Sequence, residues 1–204
     1  HIGELTFDGH DLLLVDLPGV TGLGGRTLDQ RVTLEVLQGR MTGMRAPDAV
    51  VLVVDSTRLE TQLMLFDPVV EMGHPTLLVL NMADELRARG GELDDAVLAE
   101  ELGVEVVRTN ARTGEGVDEV RAFLARAAAR GPTTPDPLLA ARAEGVHLPM
   151  LSELTARRQR IREIGRKAGF VAPRPSGGTD RLDGIFLHRV WGPLIFLAVL
   201  AVVF

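Results

Sequence analysis

Four short apolar runs, each leading into a single polar residue, constrain the fold more than any other feature of this chain. Residues 12–15 end at Asp16, 49–54 at Asp55, 76–80 at Asn81, and 104–107 lead to Thr109. Runs this short, without regular alternation, read as strands covered on both faces rather than as amphipathic helices. Residues 2–7 do alternate, and Asp8-Gly9-His10 makes a turn, so the first run is expected to be the second arm of a hairpin, buried on both faces. Helical patterns fill the intervals at 27–41, 59–72 and 94–102, with a last one at 117–129. Strand, polar residue, loop and helix in repetition predict a doubly wound α/β sheet, whose ligands bind at the carboxyl ends of the strands. The residues that close the strands are therefore the first candidates for chemistry.

The rest of the chain has a different character. Residues 131–137 (GPTTPDP) form a Pro-rich break, 138–169 are helical in pattern and increasingly basic, and 170–178 (FVAPRPSGG) cannot continue a helix. Residues 179–189 lead into 190–204, fifteen positions without a charge. The whole-chain charge of −6 hides an asymmetry: residues 154–189 hold nine Lys and Arg against three Asp and Glu, a net of +6, which leaves −12 for residues 1–153. An acidic body with a basic neck does not fit a nucleic-acid binder, and the absence of Tyr leaves little for base stacking. With no Cys in the chain, disulfide frameworks, thiolate catalysis and Cys-type metal sites are excluded. A bilayer span needs about 20 apolar residues, so the terminal run is expected to be the start of one, cut short, with Trp191 at its interface and the preceding arginines on the cytoplasmic side. A helix buried in a soluble core is the alternative.

Three strand ends carry specific chemistry. Asp16-Leu17-Pro18-Gly19 opens a Gly-rich loop, in which Asp16 can hold Mg²⁺ through water and the N–H of Gly19 can approach a terminal phosphate. The same tetrapeptide also makes a good turn. Asn81-Met82-Ala83-Asp84 follows the next-but-one run. The Asp84 carboxylate can accept both the ring N–H and the exocyclic amine of guanine, whereas adenine lacks the ring donor; Asp84 as a helix cap is the competing reading. After the last run, the turn begun by Asn110, Ala111 and Arg112 can present a backbone N–H to the base carbonyl.

In this order, the three elements are the later signatures of a GTPase, and the chain resembles the ferrous-iron transport protein B family. Asp16-Leu17-Pro18-Gly19-Val20 is similar to that family's switch II, Asp55-Ser56-Thr57-Arg58-Leu59 to a strand end, and Glu71-Met72-Gly73-His74-Pro75 to the segment before the base-reading strand. Thr179-Asp180-Arg181-Leu182-Asp183 resembles its approach to the first membrane span. The resemblance implies a P-loop GTPase-like sheet over residues 1–130 without its N-terminal strand and P-loop, a helical spacer over 131–178, and over 179–204 a basic, amphipathic lead into the first transmembrane helix. It also implies GTP or GDP with Mg²⁺ at Asp16, Gly19, Asn81, Met82, Asp84, Asn110, Ala111 and Arg112. The implied partners are membrane lipid, the remaining transmembrane domain of the same protein and, as an open possibility, a second copy, with no nucleic acid. The implied location is the inner membrane, with the GTPase in the cytoplasm.

Departures from the pattern limit the expected activity. Asn110 stands where the family usually has Ser, which weakens that base contact. Val20 follows Gly19, so no water-orienting Gln is available there, and no catalytic residue is assigned. The one Lys of the chain is Lys167, far from any glycine loop, so the P-loop is expected to precede His1 and hydrolysis to belong to the full-length protein. His10, His74, His147 and His188 show no ligand spacing, and the transported Fe²⁺ is not expected to bind here. The leading expectation is the regulatory portion of a ferrous-iron transporter, with GTP binding and hydrolysis coupled to Fe²⁺ uptake. A soluble switch GTPase of ribosome or tRNA biology and a nucleotide-free, membrane-tethered interaction module are the alternatives.

Overall fold

A computed structural model describes residues 1–7, 9–20, 22, 27–131, 151–174, 193, 200 and 201 of the chain. Strands β1 (Ile2–Phe7) and β2 (His10–Val15) pair antiparallel, with Phe7 opposite His10 and Gly9 at φ +76°. Helix α1 (Leu28–Leu37) starts where the Thr27 hydroxyl accepts from the N–H of Gln30 at 3.2 Å. Strand β3 (Val50–Asp55) runs into a tight turn (Ser56–Arg58), then α2 (Leu59–Gln62), a second tight turn (Leu63–Leu65) and α3 (Phe66–Val70). The sequence pattern predicts one helix here. Pro68 has no N–H for the carbonyl four residues back, and the stretch breaks into short pieces around it.

Strand β4 (Thr76–Asn81) is followed by α4 (Ala83–Ala88) and α5 (Asp95–Leu102), and β5 (Glu105–Thr109) by α6 (Val117–Arg130). Asp94 caps α5 through its carboxylate, at 3.0 and 3.1 Å from two N–H groups, and Gly103 ends it at φ +68°. Helix α7 (Leu151–Lys167) follows in the chain. Strands β3, β4 and β5 form one parallel sheet in that order. Leu52, Val54, Leu78 and Leu80 pack on one face against Leu59, Leu63, Leu98, Ile161 and Ile164 of α2, α5 and α7 and the turn between α2 and α3. Leu77 and Val79, with Val51 and Val107, pack on the other face against Phe123 and Val120 of α6. Helices on both faces make the sheet doubly wound, and burial of these side chains supplies most of its stability.

The hairpin departs from expectation. The sequence predicts burial of residues 12–15 on both faces, yet Leu13 is 59% and Leu14 42% exposed. The physical reason is that β2 hydrogen-bonds only to β1 and stands outside the parallel sheet. Helix α6 touches β2 as well as β4 and β5, and Arg121 lies 5.8 Å over the Phe7 ring, so one helix spans both sheets. The outer edge of β3 has no strand neighbour among the described residues, and Val53 on it is 58% exposed.

Helix α7 is built onto the body by apolar and ionic contacts together. Ile161, Ile164 and Ala168 are buried, Arg157 and Arg160 both reach Asp67, and Lys167 meets Glu101 at 2.8 Å. Residues 168–174 then run along 89–94. The N–H of Asp94 donates to the Ala168 carbonyl at 2.8 Å, Glu92 and Val171 exchange backbone bonds at 3.2 and 2.9 Å, and the N–H of Arg174 donates to the Arg89 carbonyl at 2.9 Å. Gly91 is required at this crossing, since a Cβ would stand 2.3 Å from Leu86 Cδ1 and 2.8 Å from the Val171 carbonyl. Among the described residues no helix is long and apolar enough to cross a membrane. The expected break at 132–137, the helical pattern at 138–150, the loop at 175–178 and nearly all of 179–204 lie outside the described residues.

Candidate functional site

The parallel register brings three strand-closing residues side by side: Asp55 lies opposite Asn81, and Asn81 opposite Thr109. Parallel strands of equal phase put their ends in one row, which is why such sheets bind ligands there. Ser56 locks the row. Fully buried, its hydroxyl donates to the Asn81 carbonyl at 2.8 Å. Asp55 is spent locally, its carboxylate accepting from the N–H and the hydroxyl of Thr57 at 2.8 and 2.7 Å. From β5, Arg108 donates to both carboxylate oxygens of Asp95 and to the Leu93 carbonyl, the last at 2.7 Å. The bond to Asp95 raises the Arg108 pKa above its ordinary value, against the opposing effect of burial, so this anchor is charged at every physiological pH.

At Met82 the backbone turns sharply. Its φ of 60° makes it the one non-glycine among the described residues in the left-handed region, a conformation that holds only where the surroundings enforce it. Met82 is the cap of α4 and offers that helix no side-chain hydrogen bond. Asp84 lies in the first turn of α4, and its carboxylate pairs outside that helix: Oδ2 accepts from Nδ2 of Asn110 at 3.1 Å, across 26 residues of sequence. Asn110 also holds its own turn. Its Oδ1 accepts from the N–H of Arg112 at 3.0 Å, its carbonyl from Thr113 and Gly114 at 3.2 and 2.9 Å, and its N–H donates to Glu115 at 3.0 Å. Gly116 closes the turn at φ +77°, where a Cβ would fall 1.9 Å from the Arg108 carbonyl. The outcome is an exposed carboxylate, steadied from one side, beside an exposed turn at Ala111. Such a corner suits a planar ligand with two adjacent N–H donors and a carbonyl next to them.

The structure thus brings Asn81, Met82, Asp84, Asn110, Ala111 and Arg112 to one corner, through Asn81–Thr109 pairing and the Asp84–Asn110 bond. Asp16 and Gly19 lie past the end of β2, in the segment after the other sheet, and no hydrogen bond or ion pair among the described residues joins them to that corner. Both are exposed; the Asp16 backbone meets His1 at 2.7 and 2.9 Å, and a Cβ on Gly19 would touch nothing within 4 Å. Among the described residues no group of three or more His, Asp or Glu could hold a metal ion. Sequence reasoning did not find Ser56 as the lock of the row, nor Asn110 as a ligand of Asp84. A hydroxyl directly after a strand-closing Asp is a weak signal for the first, and the replacement of Ser by the longer Asn was the available signal for the second.

The family model described as "Ferrous iron transport protein B" matches residues 1–124. The Fe(2+) transporter FeoB of Leptospira biflexa is 38% identical over 116 residues, covering 57% of this chain and 16% of that protein. That of Synechocystis is 29% identical over 195 residues, covering 93% and 29%, and that of Helicobacter pylori J99 is 28% identical over 208, covering 98% and 30%. The chain therefore spans less than a third of the length of these relatives. Among solved structures, the G-domain of FeoB from Methanococcus jannaschii is similar with a TM-score of 0.57 at 34% identity, covering 62% of this chain and 78% of that one. The cytosolic domain of FeoB from T. maritima in its GMPPNP form gives a TM-score of 0.66 at 24% identity, covering 83% and 85%, a likeness of fold.

Proposed function

The chain belongs to the ferrous iron transport protein B family, and from that premise we propose that it is the guanine-nucleotide-binding regulatory portion of a membrane ferrous-iron transporter. Its fold is the P-loop GTPase-like α/β fold with a parallel sheet. The observation that carries the functional reading is the Asp84 carboxylate at the head of α4, bonded to Asn110 rather than spent as a helix cap. In this reading Asp84 accepts the ring N–H and exocyclic amine of guanine, and the N–H of Ala111 faces the base carbonyl. Asn81 and Met82 aim the start of α4, and Arg112 closes the turn that holds Asn110. An adenine base would leave the carboxylate partly unpaired, which is the source of discrimination.

The remaining parts of the proposal are less local. Asp16 binds the Mg²⁺ of the nucleotide through water, and the N–H of Gly19 faces the terminal phosphate. The phosphate cradle itself comes from residues outside this sequence, since the one Lys here is Lys167 on α7. The outer edge of β3, which has no strand neighbour among the described residues, and the separate hairpin support that reading, because they leave room for a further strand. Residues 1–130 are then part of a G domain, 131–178 the spacer, and 179–204 the lead into a first transmembrane helix, with the G domain on the cytoplasmic side of the inner membrane. Hydrolysis and Fe²⁺ uptake belong to the whole protein, which holds the transmembrane domain and, as a further part of the proposal, associates with a second copy.

The test is calorimetry on the 204 residues alone and on the same chain completed with a P-loop strand and helix. The completed protein should bind GDP far more tightly, and prefer it strongly over ADP. Tight, Mg²⁺-dependent GTP binding by the chain alone would overturn the account of the phosphates. Equal affinity of the completed protein for guanine and adenine nucleotides would overturn the account of the base.

A further inference from the structure

Helix α7 sorts its cations into two sets. Arg157, Arg160 and Lys167 turn inward to Asp67, Glu71 and Glu101 and fasten the helix to the body. Arg158, Arg162 and Arg166, four residues apart, are exposed and make no ion pair among the described residues; Arg162 reaches the Arg158 carbonyl at 3.4 Å. At 1.5 Å per residue they form a stripe about 12 Å long. Between positions 155 and 167 the one exposed acid is Glu163. Like charges at this spacing weaken a helix, so the stripe is not explained by helix stability. Nor does the acidic body use it, although residues 1–153 carry a net charge of −12. All three cations are arginines, whose planar donor set matches phosphate oxygens two at a time.

We propose that Arg158, Arg162 and Arg166 form a docking stripe for the phosphate headgroups of an anionic membrane leaflet, laying α7 along the bilayer surface with the nucleotide corner held off it. The proposal rests on the membrane reading above to this extent: fifteen residues separate Arg174 from the uncharged run at 190–204, a tether of at most about 55 Å even fully extended, so the stripe stays close to any bilayer that run enters. Charge complementarity selects the anionic leaflet, and contact with phosphate explains Arg in place of Lys.

The test is flotation of the full chain with vesicles of phosphatidylcholine, and of phosphatidylcholine with 30% phosphatidylglycerol. The wild type should partition onto the anionic vesicles about a hundredfold better, three cations each contributing about fivefold. The variant R158Q/R162Q/R166Q should lose most of that preference and keep its binding to phosphatidylcholine, while R130Q, at an exposed Arg of α6, should keep both. A triple variant with wild-type preference overturns the proposal, as does stripe-dependent self-association or nucleic-acid binding without a lipid preference. Absence of binding to either vesicle overturns the membrane reading along with it. Because the chain has no Cys, a nitroxide on Gln159→Cys reports the same face in an otherwise native protein. It should lose access to an aqueous relaxation agent on anionic vesicles, whereas a label on Glu119→Cys of α6 should not. Equal access at both positions overturns the proposal.

Discussion

Removing the Asn110 side chain separates a base-reading corner from an ordinary surface turn. Asn110→Ala deletes the bond to the Asp84 carboxylate at 3.1 Å and the acceptor for the Arg112 N–H at 3.0 Å. A hydrogen bond onto a charged group contributes about 1.5–3 kcal/mol when sheltered, but Asp84 is exposed and solvent competes for it, which leaves about 1 kcal/mol. The lost turn bond adds about 0.5 kcal/mol at the low end of neutral pairs. Together these amount to about a tenfold weakening of guanine-nucleotide binding. The phosphates and sugar do not touch this corner in the proposed arrangement, so ADP affinity should not move. Competition against a fluorescent guanine nucleotide, in the P-loop-completed protein, measures both. The reasoning is refuted if GDP affinity is unchanged in a normally folded Asn110→Ala protein, or if GDP and ADP weaken by the same factor.

Asp84→Asn should transfer preference from guanine toward xanthine nucleotides, whose ring carbonyl matches an amide donor; unchanged GDP affinity with no gain for XDP would make Asp84 a bystander. Gly116→Ala should destabilise the chain by about 3 kcal/mol or more, combining the left-handed penalty with the clash on the Arg108 carbonyl, and a denaturation midpoint within error of wild type would contradict the geometry. Asp67→Asn removes the acid that two arginines of α7 share; with its side chain 11% and that of Arg160 53% exposed, the cost should be about 1–2 kcal/mol, read as faster hydrogen exchange across 151–167. The Lys167 ammonium is held above its ordinary pKa chiefly by its bond to Glu101, so its contribution is complete below the ordinary Lys value and falls only as pH rises past it. The difference in melting temperature between wild type and Lys167→Met should therefore stay constant from pH 6 to 9, and a difference that collapses inside that window would show that the pair does not form.

The parallel sheet was legible because burial on two faces writes an unbroken apolar run, and all three of its strands came within a residue or so of the expected limits. The hairpin shows the limit of that inference. Residues 12–15 have the same apolar character as 76–80, yet Leu77, Leu78 and Leu80 are fully buried while Leu13 and Leu14 are exposed, because an apolar run states what a strand can bury and not what lies over it. The broken helix at 59–70 was equally hidden, since periodicity survives a tight turn and only Pro68 marks the interruption. At the candidate site, residue types were readable from motifs, but the bond that joins Asp84 to Asn110 depends on β4 and β5 being neighbours in register. No local pattern encodes that adjacency. The left-handed Met82 was likewise invisible, because the residue type argues against the conformation and the turn from β4 into α4 imposes it.

Helix α4 is what makes the corner more than a surface feature. It carries Asp84 in its first turn and, six residues long, ends where Arg89 and Gly91 meet the segment that leaves α7. Leu86 is buried and stands against the position a Gly91 Cβ would take, so the helix cannot slide toward that segment without displacing the backbone at Val171. The Arg89 side chain adds a bond to the Arg174 carbonyl at 2.8 Å, opposite the backbone bond from the N–H of Arg174. About one and a half turns of helix therefore separate the carboxylate from the chain that leads toward residues 190–204. Packed elements of this kind move as units rather than deform. A ligand that repositions Asp84 must then either move residues 168–174 with it or break the paired backbone bonds between Glu92 and Val171.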